Sequence, residues 1–157
     1  MAGSILIEIN NIGELEELLG VTLSRYYPKK EVKHPGIALS QLSNNLREFV
    51  AKGDGLAIED ACKIISHDPH LPFGKLIKSD LSRALKKSAD YISSQDREKI
   101  VKVTAALLSL EFCPRETEDY CKLVKKLGIK EVKQLLSLAK PLDEKSKLLV
   151  SGLENAT

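Results

Sequence analysis

Large aromatic side chains are scarce in this sequence: its 157 residues include no tryptophan, and aromatic residues make up only 4%. A core with so few rings has to be filled by leucine, isoleucine and valine, which suits packing between helices. Cysteine is also scarce. The three residues Cys62, Cys113 and Cys121 are an odd number in a chain long enough to close a core without cross-links. We therefore expect no disulfide framework and a cytoplasmic location.

Long apolar runs and an excess of one charge are missing too. No segment approaches the roughly 20 apolar residues that a membrane-spanning helix needs. The isoleucine-rich start lacks a basic region and is interrupted by Glu8, so it does not read as a secretory signal. The net charge of +2 produces no global field that would favour nucleic acid or a membrane surface. We expect a soluble protein without membrane contacts.

The motifs of common enzymes are absent from the sequence. It contains no glycine-rich phosphate loop, no G-x-S-x-G and no zinc signature. His67 and His70 flank Asp68, but a catalytic zinc needs at least three well-placed protein ligands. Cys113 and Cys121 have no neighbouring histidine to act as a base. Cys121 lies at the edge of an apolar stripe and Cys62 among apolar residues, so a buried structural role suits these two thiols better. We predict no metal, no cofactor and no enzymatic activity.

What the sequence does contain is helical periodicity, most clearly between Ser94 and Pro141. Apolar positions in residues 100–112 run almost round a helix, so that helix has to be covered on most sides. Two apolar stripes at helical spacing follow, separated by Gly128, which is expected to provide a left-handed stop. The stripes consist of Tyr120, Leu123, Val124 and Leu127, and of Ile129, Val132, Leu135, Leu136 and Ala139.

Shorter helices are predicted on both sides of this segment. They cover residues 11–20, about 37–52, 58–68, 76–91 and 142–155. Residues 21–36 are expected to form an irregular basic loop, because Pro28 and Pro35 discourage helix at the residue before them. The alternation of Ile5, Ile7 and Ile9 is typical of a strand but has no evident partner, so a helix start or an extended arm remains an alternative.

Two segments echo each other: LLSLEFCP at residues 107–114 and LLSLAKP at residues 135–141. Each is followed by a charged helix start, which suggests repeated helix pairs, although leucine-rich helices can also resemble one another by composition alone. Helix pairs of this kind bury their faces by stacking on their neighbours. In this layout the region from Ile37 to Glu154 resembles a short HEAT- or armadillo-like solenoid, with later units shorter than the usual repeat of about 40 residues.

The predicted fold class is all-α: an irregular solenoid or bundle of about seven to eight helices stacked as helical hairpins. We predict one domain over residues 1–157. Within it, residues 1–35 form an N-terminal arm, a short helix and the basic loop, and residues 36–157 form the stack of hairpins.

Two basic clusters are compatible with nucleic-acid binding. In RYYPKKEVKH, cations between Lys29 and Lys33 could neutralise phosphates while Tyr26 and Tyr27 stack on bases. The alternative is a solvated loop whose tyrosines pack on neighbouring helices. The second cluster, between Lys125 and Lys133, superficially resembles a bacterial helix-turn-helix.

The second cluster departs from that pattern at two positions. Val124 stands where the first helix usually has a small residue, and Gln134 stands where a buried aliphatic residue is expected. These departures favour a role in the core over one in reading the DNA groove.

The remaining class is a protein-binding module. In size, helical architecture and lack of chemical motifs, the chain is similar to all-helical bacterial immunity proteins. That resemblance implies steric occlusion of another protein, such as a secreted toxin domain, with nucleic-acid binding through the two basic clusters as the alternative. Partner contacts are predicted at Tyr26, Tyr27, Lys29, Lys30, Glu116, Glu118 and Asp119.

Overall fold

The computed structural model describes residues 8–71 and 74–156, and the side chains in these ranges except those of residues 74–76. The described residues form eight α-helices, which confirms the predicted all-α fold. In chain order they are α1 (Ile12–Leu19), α2 (Pro35–Ala51), α3 (Gly55–His67), α4 (Gly74–Lys86), α5 (Ser94–Leu108), α6 (Thr117–Leu127), α7 (Ile129–Leu138) and α8 (Glu144–Glu154). None of them is long and apolar enough to span a bilayer.

The helices stack in two rows. The even-numbered helices α2, α4, α6 and α8 pack against one another in that order, while α3, α5 and α7 form the second row. Contacts between the rows join α2 to α3, α3 to α4, α5 to α6, α6 to α7 and α7 to α8. Helix α1 covers α2 and α3. Each helix therefore buries its apolar stripe mainly on helices that are close to it in sequence, as in a helical stack.

Helix α5 lies at the centre, packed against α3, α6 and α7. Ser93 is its N-cap and accepts a hydrogen bond from the Asp96 amide at 3.1 Å. The helix ends earlier than predicted, at Leu108. Ser109 donates its hydroxyl proton to the Ala105 carbonyl at 2.7 Å, and the chain then leaves the helical path. The prediction that residues up to Phe112 are covered is therefore wrong, since Phe112 is 81% exposed.

The junction between α6 and α7 consists of Gly128 alone. Its φ of 136° and ψ of 175° suit glycine but lie outside the left-handed helical region that was predicted for this residue. Because α7 starts at the next residue, Ile129 sits in the first turn and stays exposed, contrary to the prediction. The buried stripe of α7 is formed by Val132 and Leu135 instead.

The N-terminal isoleucine segment lies partly outside the described residues, which include neither Ile5 nor Ile7. Within the described ranges the only extended pairing is an isolated parallel bridge between Glu8 and His70. The amide of Ile9 donates to the His70 carbonyl at 2.9 Å, and the Ile9 side chain is buried. From Glu8 onward, this segment lies against the turn that follows α3.

A buried ammonium joins three helices. The Nζ of Lys78 on α4 lies 2.9 Å from Asp68 Oδ1 at the end of α3 and 2.8 Å from Glu116 Oε1 at the start of α6. Tyr120 on α6 donates its hydroxyl proton to the same oxygen of Asp68 at 2.9 Å. Burial alone would lower the pKa of Lys78, but the two carboxylates raise it above its ordinary value. Lys78 is therefore charged although it is only 5% exposed.

A second cation connects α5 to its neighbours through backbone carbonyls. The guanidinium of Arg97 donates to the carbonyls of Ala89, Ile92 and Leu127 at 2.8–2.9 Å and also contacts Glu131 on α7. Leu127 is the last residue of α6, so its carbonyl has no partner within the helix. Arg97 thus fixes the end of α6 and the start of α7 against α5.

Replacing Lys78 by methionine should lower the free energy of unfolding by about 3–5 kcal/mol, because two carboxylates then stay buried without their cation. Urea unfolding followed by circular dichroism measures this loss. The matched control is Lys87→Met on an exposed lysine, which should change stability by less than about 0.5 kcal/mol. Adding Asp68→Asn and Glu116→Gln to Lys78→Met removes the stranded charges and should recover part of the loss. Equal effects of Lys78→Met and Lys87→Met would contradict the proposed role of the buried ammonium.

Candidate functional site

The two neighbouring tyrosines of the basic loop have different environments. Tyr26 is fully buried and donates its hydroxyl proton to Asp60 Oδ2 at 2.7 Å, while its ring meets the Phe49 ring edge-on. Burial and the contact with Asp60 raise the pKa of Tyr26. Tyr26 therefore cannot contact a partner, and its predicted place in a binding surface is wrong. The loop folds back onto α2 and α3, as in the alternative in which the tyrosines pack on helices.

The loop is held in place by an ion pair with two hydrogen bonds. The guanidinium of Arg25 contacts both oxygens of Asp54 at 3.1 and 2.7 Å and lies over the rings of Tyr26 and Phe49. Asp54 also caps α3, accepting from the Ala57 amide at 2.9 Å. The bonds from Arg25 and from the backbone lower the pKa of Asp54 to about 2.

Tyr27, Lys29 and Lys30 lie on the surface. The hydroxyl of Tyr27 lies 2.8–2.9 Å from the Glu16 carboxylate, which orients the half-exposed ring. The segment from Pro28 to Val32 forms one wall of a cleft whose other wall is α2, with Gln41, Asn44 and Asn45. Of the predicted residues in this loop, three therefore remain accessible.

The predicted acidic cluster at the start of α6 does not form one surface. Glu116 is buried against Lys78, so its predicted partner contact is wrong. Asp119 is half-buried and lies 3.4 Å from Arg83 Nε. Glu118 is exposed, and its only ion pair in the described ranges is a 3.7 Å contact with Lys122. The acidic residues that begin this helix thus mainly serve packing between α4 and α6.

The second basic cluster divides between two helices. Lys125 and Lys126 lie on α6. Together with Lys86 and Lys122 they line a cleft of about 340 Å³, and we name this cleft the lysine cleft. Lys130 and Lys133 are exposed on α7. A helix-turn-helix joins its helices through a turn of about 3–4 residues, whereas a single glycine joins α6 and α7. The connection between α6 and α7 is therefore shorter than the turn of a helix-turn-helix.

A further cleft, with a volume of about 430 Å³, lies between α2 and α4. We name it the α2–α4 cleft. It adjoins the cleft of the basic loop, because Gln41 and Asn44 line both. In the described part of the protein, Ser43 Oγ and Arg47 Nε are buried without a hydrogen-bond partner. The residues that line it are Ile37, Ser40, Gln41, Ser43, Asn44, Arg47, Ile77 and Asp80.

Four exposed apolar side chains lie near the C-terminal ends of α5 and α7. We name these four side chains the apolar end patch. They are Leu110, Phe112, Leu138 and Leu142. Two hydrogen bonds hold their segments side by side. The Lys140 amide donates to Ser109 Oγ at 2.9 Å, and the Cys113 amide donates to Asp143 Oδ2 at 3.2 Å. The patch therefore rests on a fixed backbone.

Sequence reasoning missed both the apolar end patch and the α2–α4 cleft. Leu110 and Phe112 continue the apolar pattern of α5, so the pattern predicts that they are covered. The signals that could have corrected this are Pro114 and Pro141, which place both segments just before a proline, where helices commonly end. For Ser43 and Arg47 the sequence contains no such signal, because both fit a solvated helix face.

The thiols show no arrangement for nucleophilic catalysis. Cys62 and Cys121 are buried, which confirms their interpretation as structural residues. Burial raises the pKa of Cys121 to about 12 and raises that of Cys62 further, so neither is a thiolate at neutral pH. Among the described residues, no group of three or more histidine, cysteine or acidic side chains is placed to hold a metal ion.

Comparison with known proteins does not place the chain in a family. No family model matches it, and no curated protein or solved structure is significantly similar to it. Its function has to be inferred from the surfaces described above.

The ion pair between Arg25 and Asp54 should make stability depend on pH in the acidic range. Because the pKa of folded Asp54 is lowered from 3.8 to about 2, the unfolded chain binds more protons in this window and stability falls as the pH falls. Asp54→Asn keeps a good N-cap and removes the charge, so it should lack this part of the pH dependence. Urea unfolding of both proteins over this range measures the difference.

The control for this prediction is Asp90→Asn, on an exposed aspartate for which the described residues include no ion-pair partner. Its acid-induced loss of stability should match that of the wild type. Identical pH profiles for wild type and Asp54→Asn would show that the contact with Arg25 does not favour the ionised carboxylate.

Proposed function

We propose that this chain is a protein-binding module that acts by covering a functional surface of another protein. The observation that carries the proposal is the apolar end patch. Phe112 and Leu142 are 81% and 65% exposed, although burial of such side chains is normally favourable. Clustered exposed apolar residues are typical of surfaces that another protein covers.

The patch has the properties of a binding anchor. Its backbone is held by the bonds from Lys140 to Ser109 and from Cys113 to Asp143, so little conformational entropy has to be lost on binding. Phe112 is a large exposed ring, and phenylalanine is among the residues that are enriched in protein interfaces. Phe112 is therefore the expected centre of the contact.

The architecture supports occlusion as the mode of action. Lys78 and Arg97 join the two rows of helices, and the apolar end patch offers an exposed hydrophobic surface at one end of them. We propose that the partner is a toxin domain that is neutralised in the cytoplasm; the proposal is supported only by the resemblance to immunity proteins in size and helical architecture. Polar contacts outside the apolar anchor would then come from the accessible residues Tyr27, Lys29, Lys30 and Glu118. Asp119, which is half-buried, would contribute less to these contacts.

Phe112→Asp should weaken binding to the partner by about thirtyfold or more, because it places a charge at the centre of an apolar contact. The partner is first identified by copurification from a native lysate, and its affinity for purified variants is then measured by calorimetry. If the partner is a toxin, co-expression should also show loss of protection of the cell by Phe112→Asp.

The matched control is Tyr91→Asp. Tyr91 is 79% exposed and lies in the turn before α5, away from the apolar end patch. It should bind like the wild type. A partner that binds Phe112→Asp as tightly as the wild type would rule out the patch. If the wild-type protein is a dimer and Phe112→Asp is a monomer, the apolar end patch instead binds a second copy of the chain.

A second candidate function is nucleic-acid binding, and the observation in its favour is the lysine cleft. Lys86, Lys122, Lys125 and Lys126 surround one concave site, where their charges add and could hold phosphates.

If this second function is correct, affinity for duplex or single-stranded nucleic acid should fall steeply as salt rises. Joint replacement of Lys125 and Lys126 by glutamate should weaken binding to all sequences equally, as measured by fluorescence anisotropy. Lys52→Glu, on an exposed lysine at the end of α2, is the control and should have a small effect. No binding at low salt would eliminate this candidate.

A further inference from the structure

The α2–α4 cleft contains two polar groups that the fold leaves without partners. Ser43 is 5% exposed, and its hydroxyl has no hydrogen-bond partner in the described residues. The Nε of Arg47, one helical turn further along α2, is buried and also lacks a partner in those residues. Buried polar groups in proteins are nearly always paired, because each unpaired group costs about 1–3 kcal/mol. Two such groups in one cleft indicate a missing acceptor.

The type of acceptor follows from Arg47. A guanidinium presents several donors in one plane and binds a carboxylate through two parallel hydrogen bonds. Three other basic side chains in the described region have acidic partners. Arg25 contacts Asp54, Lys78 contacts Asp68, and Arg97 contacts Glu131. Arg47 has no such contact among the described residues, so its charge is available to an anion.

The opposite wall of the cleft has the complementary charge. Asp80 on α4 lines the cleft, and its Oδ1 contacts Arg83 at 3.3 Å. Its other carboxylate oxygen has no hydrogen-bond partner among the described residues and can accept a hydrogen bond from an ammonium group. Ile37 and Ile77 also line the cleft and supply apolar surface, and Gln41 and Asn44 contribute side-chain amides.

We propose that the α2–α4 cleft binds a small aliphatic zwitterion of the amino-acid type, with its carboxylate on Arg47 and Ser43 and its ammonium group on Asp80. The apolar side chain lies against Ile37 and Ile77. A volume of about 430 Å³ accommodates a ligand of this class. This site is independent of the apolar end patch, so it stands or falls separately from the proposed protein-binding function.

Leucine is the probe, with two relatives that each lack one charge-bearing group. Leucinamide has no carboxylate, and 4-methylpentanoate has the same carbon skeleton without the amino group. For ligands of this size we expect dissociation constants of about 1 mM. In two-dimensional ¹H–¹⁵N spectra, leucine should shift the Arg47 Nε–H signal and the amide signals of Gln41 and Asn44. Leucinamide should leave the Arg47 signal unchanged, and 4-methylpentanoate should shift it at higher concentration.

Variants separate the two ends of the ligand. Arg47→Met keeps the length of the side chain and should weaken leucine binding about tenfold or more. Asp80→Asn should make leucine and 4-methylpentanoate bind equally. Arg115→Met, on an exposed arginine before α6, is the matched control and should bind leucine like the wild type. Ser43→Ala should weaken binding less than Arg47→Met and should not lower the melting temperature of the free protein, because its hydroxyl loses no partner.

The result that would overturn the proposal is a wild-type spectrum in which leucine leaves the signals of Arg47, Gln41 and Asn44 unchanged at tens of millimolar. Equal shifts with leucine and leucinamide would also overturn it, because they would show that the carboxylate is not recognised. Both readouts use the wild-type chain, so they hold even if a variant fails to fold.

Discussion

The stack of helices depends on one buried cation. Lys78 lies inside the protein between Asp68 and Glu116, at the end of α3 and the start of α6. A charge in such a place is tolerated only when its partners are in contact, so a shift of α4 or α6 along the stack would strand it. Tyr120 closes the arrangement through its bond to Asp68. The cluster therefore sets the register of three helices, which apolar packing alone would determine less sharply.

This use of charge in the interior determines what remains outside. Glu116 and Tyr26 belong to polar contacts between helices, and Asp119 is largely occupied by Arg83, so they offer little to a partner. An exposed apolar surface lies instead where α5 and α7 end. There, Ser109 and Asp143 use their side chains to hold the backbone of the facing segment, and Phe112 extends into solvent. The apolar end patch, where we propose that a partner binds, is thus made by two helix ends.

Helix α2 shows how one element serves both core and surface. Leu39, Leu42, Leu46 and Val50 face the interior at helical spacing and are fully buried. Ser43 and Arg47 lie beside this stripe, about 100° round the helix from Leu42 and Leu46, and face α4. The packing of α2 on α4 fills the interior but leaves these two side chains in a cleft. Ser43 Oγ and Arg47 Nε have no hydrogen-bond partner among the described residues.

The sequence by itself determined the local elements. Helical periodicity and the break at Gly128 depend on residues close together in the chain, so they identified the helices, the all-α class and the buried thiols of Cys62 and Cys121. Only the tertiary structure decided that Tyr26 and Glu116 are buried, that Phe112 is exposed, and that Arg47 faces Asp80 across a cleft. These outcomes depend on which helix covers which face, and residues far apart in the chain set that arrangement, so no local pattern of spacing records it.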